Sequence, residues 1–185
     1  MPPATIVWLR RDLRLSDNPA LDAAISRGGP VVPVWVHAPA EEGASAPGGA
    51  ASVFLHGALR SLSDALSGRG ARLVLRRGPS IKALIELAKE TGADSVFANR
   101  VRDPAFLSRD EKAVSALEGN GIRARLFEDG VLFPPETIGR SAGGPFRVFT
   151  PFWKRCLARP HPAAPLPAPG AVPSRPRRTS LPSAV

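Results

Sequence analysis

The strongest constraint on this chain is an alternation. Short apolar runs are followed by helical stripes, and prolines and glycines mark most of the joins. Ile6-Val7-Trp8-Leu9 is compact and apolar, as a strand buried on both faces must be. After Asn18-Pro19, the residues Leu21, Ala24 and Ile25 stand at helical spacing, and Gly28-Gly29 ends the run. Val31 to Val36 reads as a second strand, followed by a Gly/Ala/Pro-rich loop through Ala51. Leu55, Leu59, Leu62 and Leu66 then line one side of a helix that ends near Gly68 and Gly70. Leu73-Val74-Leu75 is a third strand, and Ile81, Leu84, Ile85 and Ala88 form a stripe stopped by Gly92. Ser95 to Ala98 is a fourth strand. A helix from Pro104 carries Leu107, Val114 and Leu117, and Ile122 to Phe127 is a fifth strand. Asn18, Gly78, Asp103 and Thr150 each place a cap-competent residue before a proline, which marks helix starts. Strands alternating with helices over short links require right-handed crossovers. The expected fold is α/β, a doubly wound, Rossmann-like, mostly parallel sheet of about five strands with helices on both faces.

A length of 185 residues suits one such domain with a core, and the pattern divides it accordingly. Residues 1–158 form the α/β domain. Its last part holds the short extended pieces Val131-Leu132-Phe133 and Phe146 to Phe149 around Gly143-Gly144, then a short helix from Thr150 to Ala158. Residues 159–185 hold eight of the 21 prolines with Ala, Ser and Arg and no apolar stripe, so they are expected to be a disordered linker or tail. No apolar run is long enough to cross a membrane, so no membrane partner is expected. No basic stretch or cleavage site precedes the first strand, which argues against a secretory leader. Cys156 is the single cysteine and fits a reducing compartment, so the expected location is cytoplasmic. The net charge of +9 allows weak contact with DNA, but four of the arginines lie beyond Ala158 and charge alone selects no partner.

There is no G-x-x-x-x-G-K-[ST] loop and no G-x-G-x-x-G after the first strand, so a phosphate-loop enzyme or a standard dinucleotide dehydrogenase is not supported. His37, His56 and His161 lack metal-ligand spacing, and nothing around Cys156 resembles an activated thiol site. Topology gives a positive indication. In an open parallel sheet, ligands bind beyond the strand ends where the strand order reverses. With the first strand central and the fourth beside it, that crevice is walled by Arg10-Arg11-Asp12-Leu13-Arg14 and Asn99-Arg100-Val101-Arg102-Asp103. His37 ends the second strand nearby. The candidate binding residues are therefore Arg11, Asp12, His37, Asn99, Arg100 and Asp103. Plain structural uses are also open: Asn18 and Asp103 as helix caps, Arg11 and Asp12 as mutual partners or as pins of neighbouring loops, His37 as a locally satisfied strand end. Trp8, Trp35, Phe54 and Phe97 read as core, while Phe152 and Trp153 sit on a short helix that is free to dock something.

The stretch Thr5-Ile6-Val7-Trp8-Leu9-Arg10-Arg11-Asp12-Leu13-Arg14-Leu15-Ser16-Asp17-Asn18-Pro19-Ala20-Leu21 resembles the opening of the DNA photolyase/cryptochrome family. Phe54 to Leu62, Gly92 to Arg100, and Gly144-Pro145-Phe146-Arg147-Val148-Phe149-Thr150-Pro151-Phe152-Trp153 resemble further family stretches in the same order, so the similarity runs from Thr5 to Ala158.

That resemblance implies an N-terminal α/β domain that holds an antenna chromophore, a reduced folate or a deazaflavin. It also implies a larger helical domain that binds FAD and DNA and repairs pyrimidine dimers with light. The chain resembles only the first part. It is expected to lack the FAD site and repair activity by itself, and to touch DNA only through the missing domain or weakly by charge. The family places acidic and amide contacts after the fourth strand. Here Asp103 stands where a glutamate is common, and Val101, Ala105 and Phe106 stand where some relatives have polar groups. An arginine common before the second helix is replaced at Ala51-Ser52-Val53, so the expectation is weak, partial antenna binding. Three other readings stay open: a scaffold that docks a separate helical flavoprotein through Phe146, Phe149, Phe152 and Trp153, a fragment of a cryptochrome-type light sensor, and a nucleotide-binding regulator. The biased composition after Gly170 also leaves a frameshift or an early stop as an explanation of the short length.

Overall fold

A computed structural model describes residues 2–43, 46–139 and 144–174. Five strands form one parallel sheet: β1 (Ala4–Leu9), β2 (Val31–His37), β3 (Val74–Arg77), β4 (Ala93–Asn99) and β5 (Arg123–Phe127). Their order is β3-β2-β1-β4-β5, so the direction of winding reverses between β1 and β4. This is the doubly wound arrangement expected from the alternation. The helices are α1 (Pro19–Ser26), α2 (Pro39–Glu42), α3 (Gly49–Ser67), α4 (Ser80–Thr91), α5 (Pro104–Gly119) and α6 (Phe149–Leu157). The turn α2 lies inside what reads from sequence as an unbroken loop.

Side chains alternate across the strands, so the sheet has two cores. Ile6, Trp8, Val34, Val36 and Val96 pack with Leu84 and Leu87 of α4 and Leu117 of α5. Val7, Leu9 and Val31 pack on the other face with Leu21 of α1 and Leu62 and Leu66 of α3. The core of β1 is buried on both faces, as its uninterrupted apolar run requires.

The helix ends follow local chemistry. Asn18 caps α1, its Oδ1 accepting from the Leu21 amide at 3.1 Å with Pro19 in the first turn. Gly92 closes α4 with φ +61°, a left-handed conformation that a side chain would penalise. Gly29 is required for space: a Cβ there would lie 2.5 Å from the Pro3 carbonyl oxygen. Two expected starts are displaced. α4 begins at Ser80 after Pro79, and α6 begins at Phe149, before Thr150-Pro151. The start of α4 is capped from a distance, because the Glu41 carboxylate accepts from both the Ser80 amide and its hydroxyl at 2.6 Å. Val131–Phe133 and Phe146–Val148 join no strand, and Gly143 lies outside the described residues.

Residues 159–174, the described part of the segment expected to be a disordered linker or tail, make several contacts with the domain. The Leu166 carbonyl accepts from the Asp17 amide at 2.7 Å, and the Pro169 carbonyl accepts from Arg69 Nε at 2.8 Å. The Val172 amide donates to the Arg69 carbonyl at 2.8 Å, and the Pro173 carbonyl accepts from the Val31 amide at 2.7 Å. The Val172 side chain is 1% exposed within the second core. Composition missed this because an extended proline-rich strap needs only a few anchors, and one valine makes no stripe. Arg175, Arg177 and Arg178 lie outside the described residues. Among the described residues, no helix is long and apolar enough to cross a membrane.

At the N-terminal edge of the sheet, Asp94 accepts from Arg27 Nη2 and Arg123 Nη2, each at 2.7 Å, and from the Ser95 hydroxyl at 2.9 Å. The Arg27 hydrogen bond, helped by Arg123 and Ser95, holds the Asp94 carboxyl far below the usual carboxylate range. A depressed folded-state pKa contributes stability above the unfolded value, and that contribution is lost as the pH falls. Asp94→Asn is therefore expected to lower Tm at pH 7, with the deficit narrowing below about pH 4. A deficit that stays constant down to pH 2 would contradict this. Val172→Ala is expected to cost about 2 kcal/mol in denaturant unfolding, whereas an unpacked strap predicts no change.

Candidate functional site

The reversal of winding at β1 and β4 leaves a gap at their C-terminal ends that polar side chains must fill. Asn99, the last residue of β4, does so. Its Nδ2 donates to Asp12 Oδ2 at 2.7 Å and to Asn18 Oδ1 at 2.8 Å, and its Oδ1 accepts from the Ala20 amide at 2.9 Å. Asp12 also accepts from the Arg10 amide at 2.8 Å, and Asn18 Nδ2 donates to the Arg14 carbonyl at 2.9 Å. Asn99, Asp12 and Asn18 are all buried. The amide of Asn99 is fully used inside the protein. Asp12 and Asn99 thus serve as fasteners of the two crevice loops.

A second polar cluster lies beside them. Arg10 is buried, donates through Nη2 to the Asn99 carbonyl, and lies 2.6 Å through Nη1 from Asp110 Oδ2. That pair is an ion contact outside hydrogen-bond geometry, and both of its atoms lack a hydrogen-bond partner. Burial lowers the Arg10 pKa and Asp110 opposes the shift, so the guanidinium remains charged against its carboxylate. Arg109 also reaches Asp110, at 3.2 Å. The cations cover aromatic faces: Arg10 stands 4.5 Å and Arg109 5.2 Å from the Trp8 ring centre, while Arg109 and Arg11 stand 4.5 and 4.6 Å from that of Phe106.

Above this layer opens a cavity of about 350 Å³, within the range of small-molecule sites. Trp8, Trp35 and Val36 supply its strand side, Phe106 and Arg109 its α5 side, and Ala51, Phe54, Leu55 and Ala58 its α3 side. Arg11 and Glu42 add charge. A smaller cleft of about 220 Å³ shares Arg11 and Val101 with it and is lined further by Asp12, Arg14, Asn99, Arg100, Arg102 and Asp129. Its arginines are paired: Arg14 with Asp129, Arg100 with Glu128 at 2.9 Å, and Arg102 with Glu128 and with Glu136 at 2.8 Å. The hydrogen bond to Glu136 raises the pKa of Arg102, and the same bond lowers that of Glu136.

The structure therefore separates the sequence candidates. Arg11 borders both cavities; its guanidinium is 3.4 Å from Asp103 Oδ2. Asp12, Asn99 and Arg100 border only the smaller cleft. His37 is exposed at the end of β2, its ring tilted against Trp35 at 5.7 Å, and neither it nor Asp103 lines either cavity. Phe54, read from sequence as core, is 80% exposed, because the N-terminal half of α3 overhangs the sheet end. Sequence reasoning missed Arg109 and Asp110, and noted Phe106 only as standing in place of a polar contact. Their i, i+3, i+4 spacing on one face of α5 was the available signal. Among the described residues, no group of His, Cys, Asp or Glu could hold a metal ion.

A family model described as DNA photolyase matches residues 5–170. The chain is 43% identical over 167 residues to a deoxyribodipyrimidine photo-lyase of Agrobacterium fabrum, covering 90% of this chain and 34% of that protein. It is 42% identical to cryptochrome-1 of Arabidopsis thaliana, covering 88% of this chain and 24% of that one. Among solved structures, a bacterial class III photolyase from Agrobacterium tumefaciens superposes with a TM-score of 0.84 at 37% identity, over 95% of this chain and 36% of its own. An archaeal photolyase from Sulfolobus tokodaii, described with two FAD molecules and an implied novel light-harvesting cofactor, gives 0.73 at 28% identity, over 91% of this chain and 37% of its own. The chain thus spans about a third or less of the length of these relatives.

Removing the carboxylate of Asp110 strands the buried Arg10 charge. Asp110→Ala is expected to destabilise the fold by about 3–5 kcal/mol in urea unfolding. A loss below about 1 kcal/mol would mean that the pair is solvent-screened after all.

Proposed function

The chain belongs to the DNA photolyase/cryptochrome family, and from that membership we propose that it is a light-harvesting domain whose cavity at the sheet's reversal point holds an antenna chromophore. The observation that carries this reading is the cavity itself. It has room for a fused heteroaromatic ring system, and it combines buried aromatic walls with Arg11, Arg109 and Glu42 as charged groups. Small side chains at Ala38, Ala51 and Ala58 leave a slot rather than a filled core. A chromophore held between these walls would supply light absorption and excitation transfer.

The chain's own residues bind and orient it. Trp8 and Phe106 form a rigid floor, because guanidinium groups cover their faces and the Arg10–Asp110 pair anchors that layer. Arg11, half-exposed over the Phe106 ring and 3.4 Å from Asp103, can exchange those contacts for an anionic or carbonyl edge of the ligand. Asp12 and Asn99 act at one remove by fixing the loop that carries Arg11. His37 acts through the Trp35 ring it leans on. The candidate chromophores are a reduced folate, a deazaflavin or a flavin.

A second reading concerns the partner. Val148, Phe149, Trp153 and Leu157 are exposed, and Phe149 stacks on Trp153 at 6.1 Å. Such an apolar patch favours docking of a helical, FAD-binding domain or subunit, to which repair or signalling chemistry and any strong DNA contact would belong. Both readings are compatible, since an antenna serves a flavin held elsewhere.

The test is a titration of the purified chain with 5,10-methenyltetrahydrofolate, a 5-deazaflavin and flavin mononucleotide, followed by absorbance and fluorescence. One of them is expected to bind one-to-one in roughly the micromolar range or tighter. Ala51→Trp, which fills the slot from an exposed position, is expected to abolish binding while leaving Tm unchanged. Absence of binding at millimolar ligand, or binding untouched by that substitution, would overturn the assignment of the cavity.

A further inference from the structure

We propose that Phe54 and the N-terminal half of α3 are a ligand-ordered cover of the cavity, with the Phe54 ring folding onto the face of the bound chromophore. This rests on the reading of the cavity as a chromophore site and adds to it the element that closes the site.

Three observations converge. First, α3 is anchored at one end only. Leu62 and Leu66 are its buried residues, while residues 49–54 are all exposed. Second, the free end is weakly started. Its N-cap is Gly48, which has no side chain to hydrogen-bond the first amides, and Gly49 opens the helix. Third, the same free half is a wall of the cavity, through Ala51, Phe54, Leu55 and Ala58. The opposite wall is fixed, with Trp8 3% exposed and Phe106 2% exposed. One wall is therefore rigid and the other is a half-supported helix carrying a phenylalanine that is 80% exposed.

A phenyl ring left in water at the mouth of an apolar slot has an unmet driving force for burial, and a planar ligand in the slot provides the missing surface. Once the ring covers the ligand, the first turns of α3 gain the tertiary contacts that stabilise helices more than their own propensity does. Exclusion of water from the chromophore follows from the same movement. Because Phe54 contributes little to the core, its role can be separated from folding.

The experiment uses the full chain with methenyltetrahydrofolate and flavin mononucleotide as probes. Phe54→Ala is expected to leave Tm unchanged and to raise Kd for the bound probe about tenfold, the scale on which a phenyl ring's apolar surface leaves water. Phe54→Leu should fall between the two. Hydrogen exchange should slow on ligand addition over residues 49–58 and stay unchanged over residues 62–67. Binding by the wild type that is equally tight in Phe54→Ala, with no protection of residues 49–58, would overturn the cover and leave the chromophore site standing. Absence of binding by the wild type would instead overturn the chromophore site, and the cover with it. Protection of residues 49–58 that appears only when a helical flavoprotein is added would assign Phe54 to docking and also overturn the cover.

Discussion

The side chain of Asn99 supports most of what this domain can do. A doubly wound sheet pulls its connections apart at the point where the winding reverses, so the ends of β1 and β4 expose backbone and polar groups that nothing regular can satisfy. One buried amide ties together the loop after β1, the cap of α1 and the end of β4 through Asp12, Asn18 and the Ala20 amide. Every donor and acceptor of that amide is used, and the crevice above inherits a rigid base. A half-satisfied network at this depth would cost more than an apolar plug, so the members stand or fall together.

The second layer repeats this logic with charge. Arg10 and Asp110 are both buried, and a pair of this kind gains little net stability over an apolar replacement. What it contributes is position. It holds guanidinium groups over the rings of Trp8 and Phe106 and so helps to fix both aromatic side chains in place. The cavity floor is thus set by electrostatics under the rings as much as by packing around them.

Much of this was legible in the sequence. The strands, the order of elements, the position of the reversal and the loops that flank it follow from periodicity and from proline and glycine punctuation, because those signals are local. The cap at Asn18 and the stop at Gly92 were legible for the same reason. What escaped depends on separations along the chain that no local pattern encodes. Asp12 and Asn99 attract notice as polar residues at a crevice, yet their partners lie up to 87 residues away and tie them into the protein's own network. Glu41 caps a helix 39 residues downstream. Val172 enters the core from a segment whose composition argues for disorder. Phe54 shows the reverse error: a leucine-rich stripe marks α3 as amphipathic, but the stripe finds the sheet only in its second half.

That division of α3 separates two properties usually bound together in a small domain. The residues that shape the outer wall, Ala51, Phe54, Leu55 and Ala58, lie outside the two packed cores, so a change in one of them alters the shape of the cavity with little effect on the sheet. On the proposed reading, point substitution along about two helical turns would reshape the space offered to a pigment, while the floor beneath stays constant.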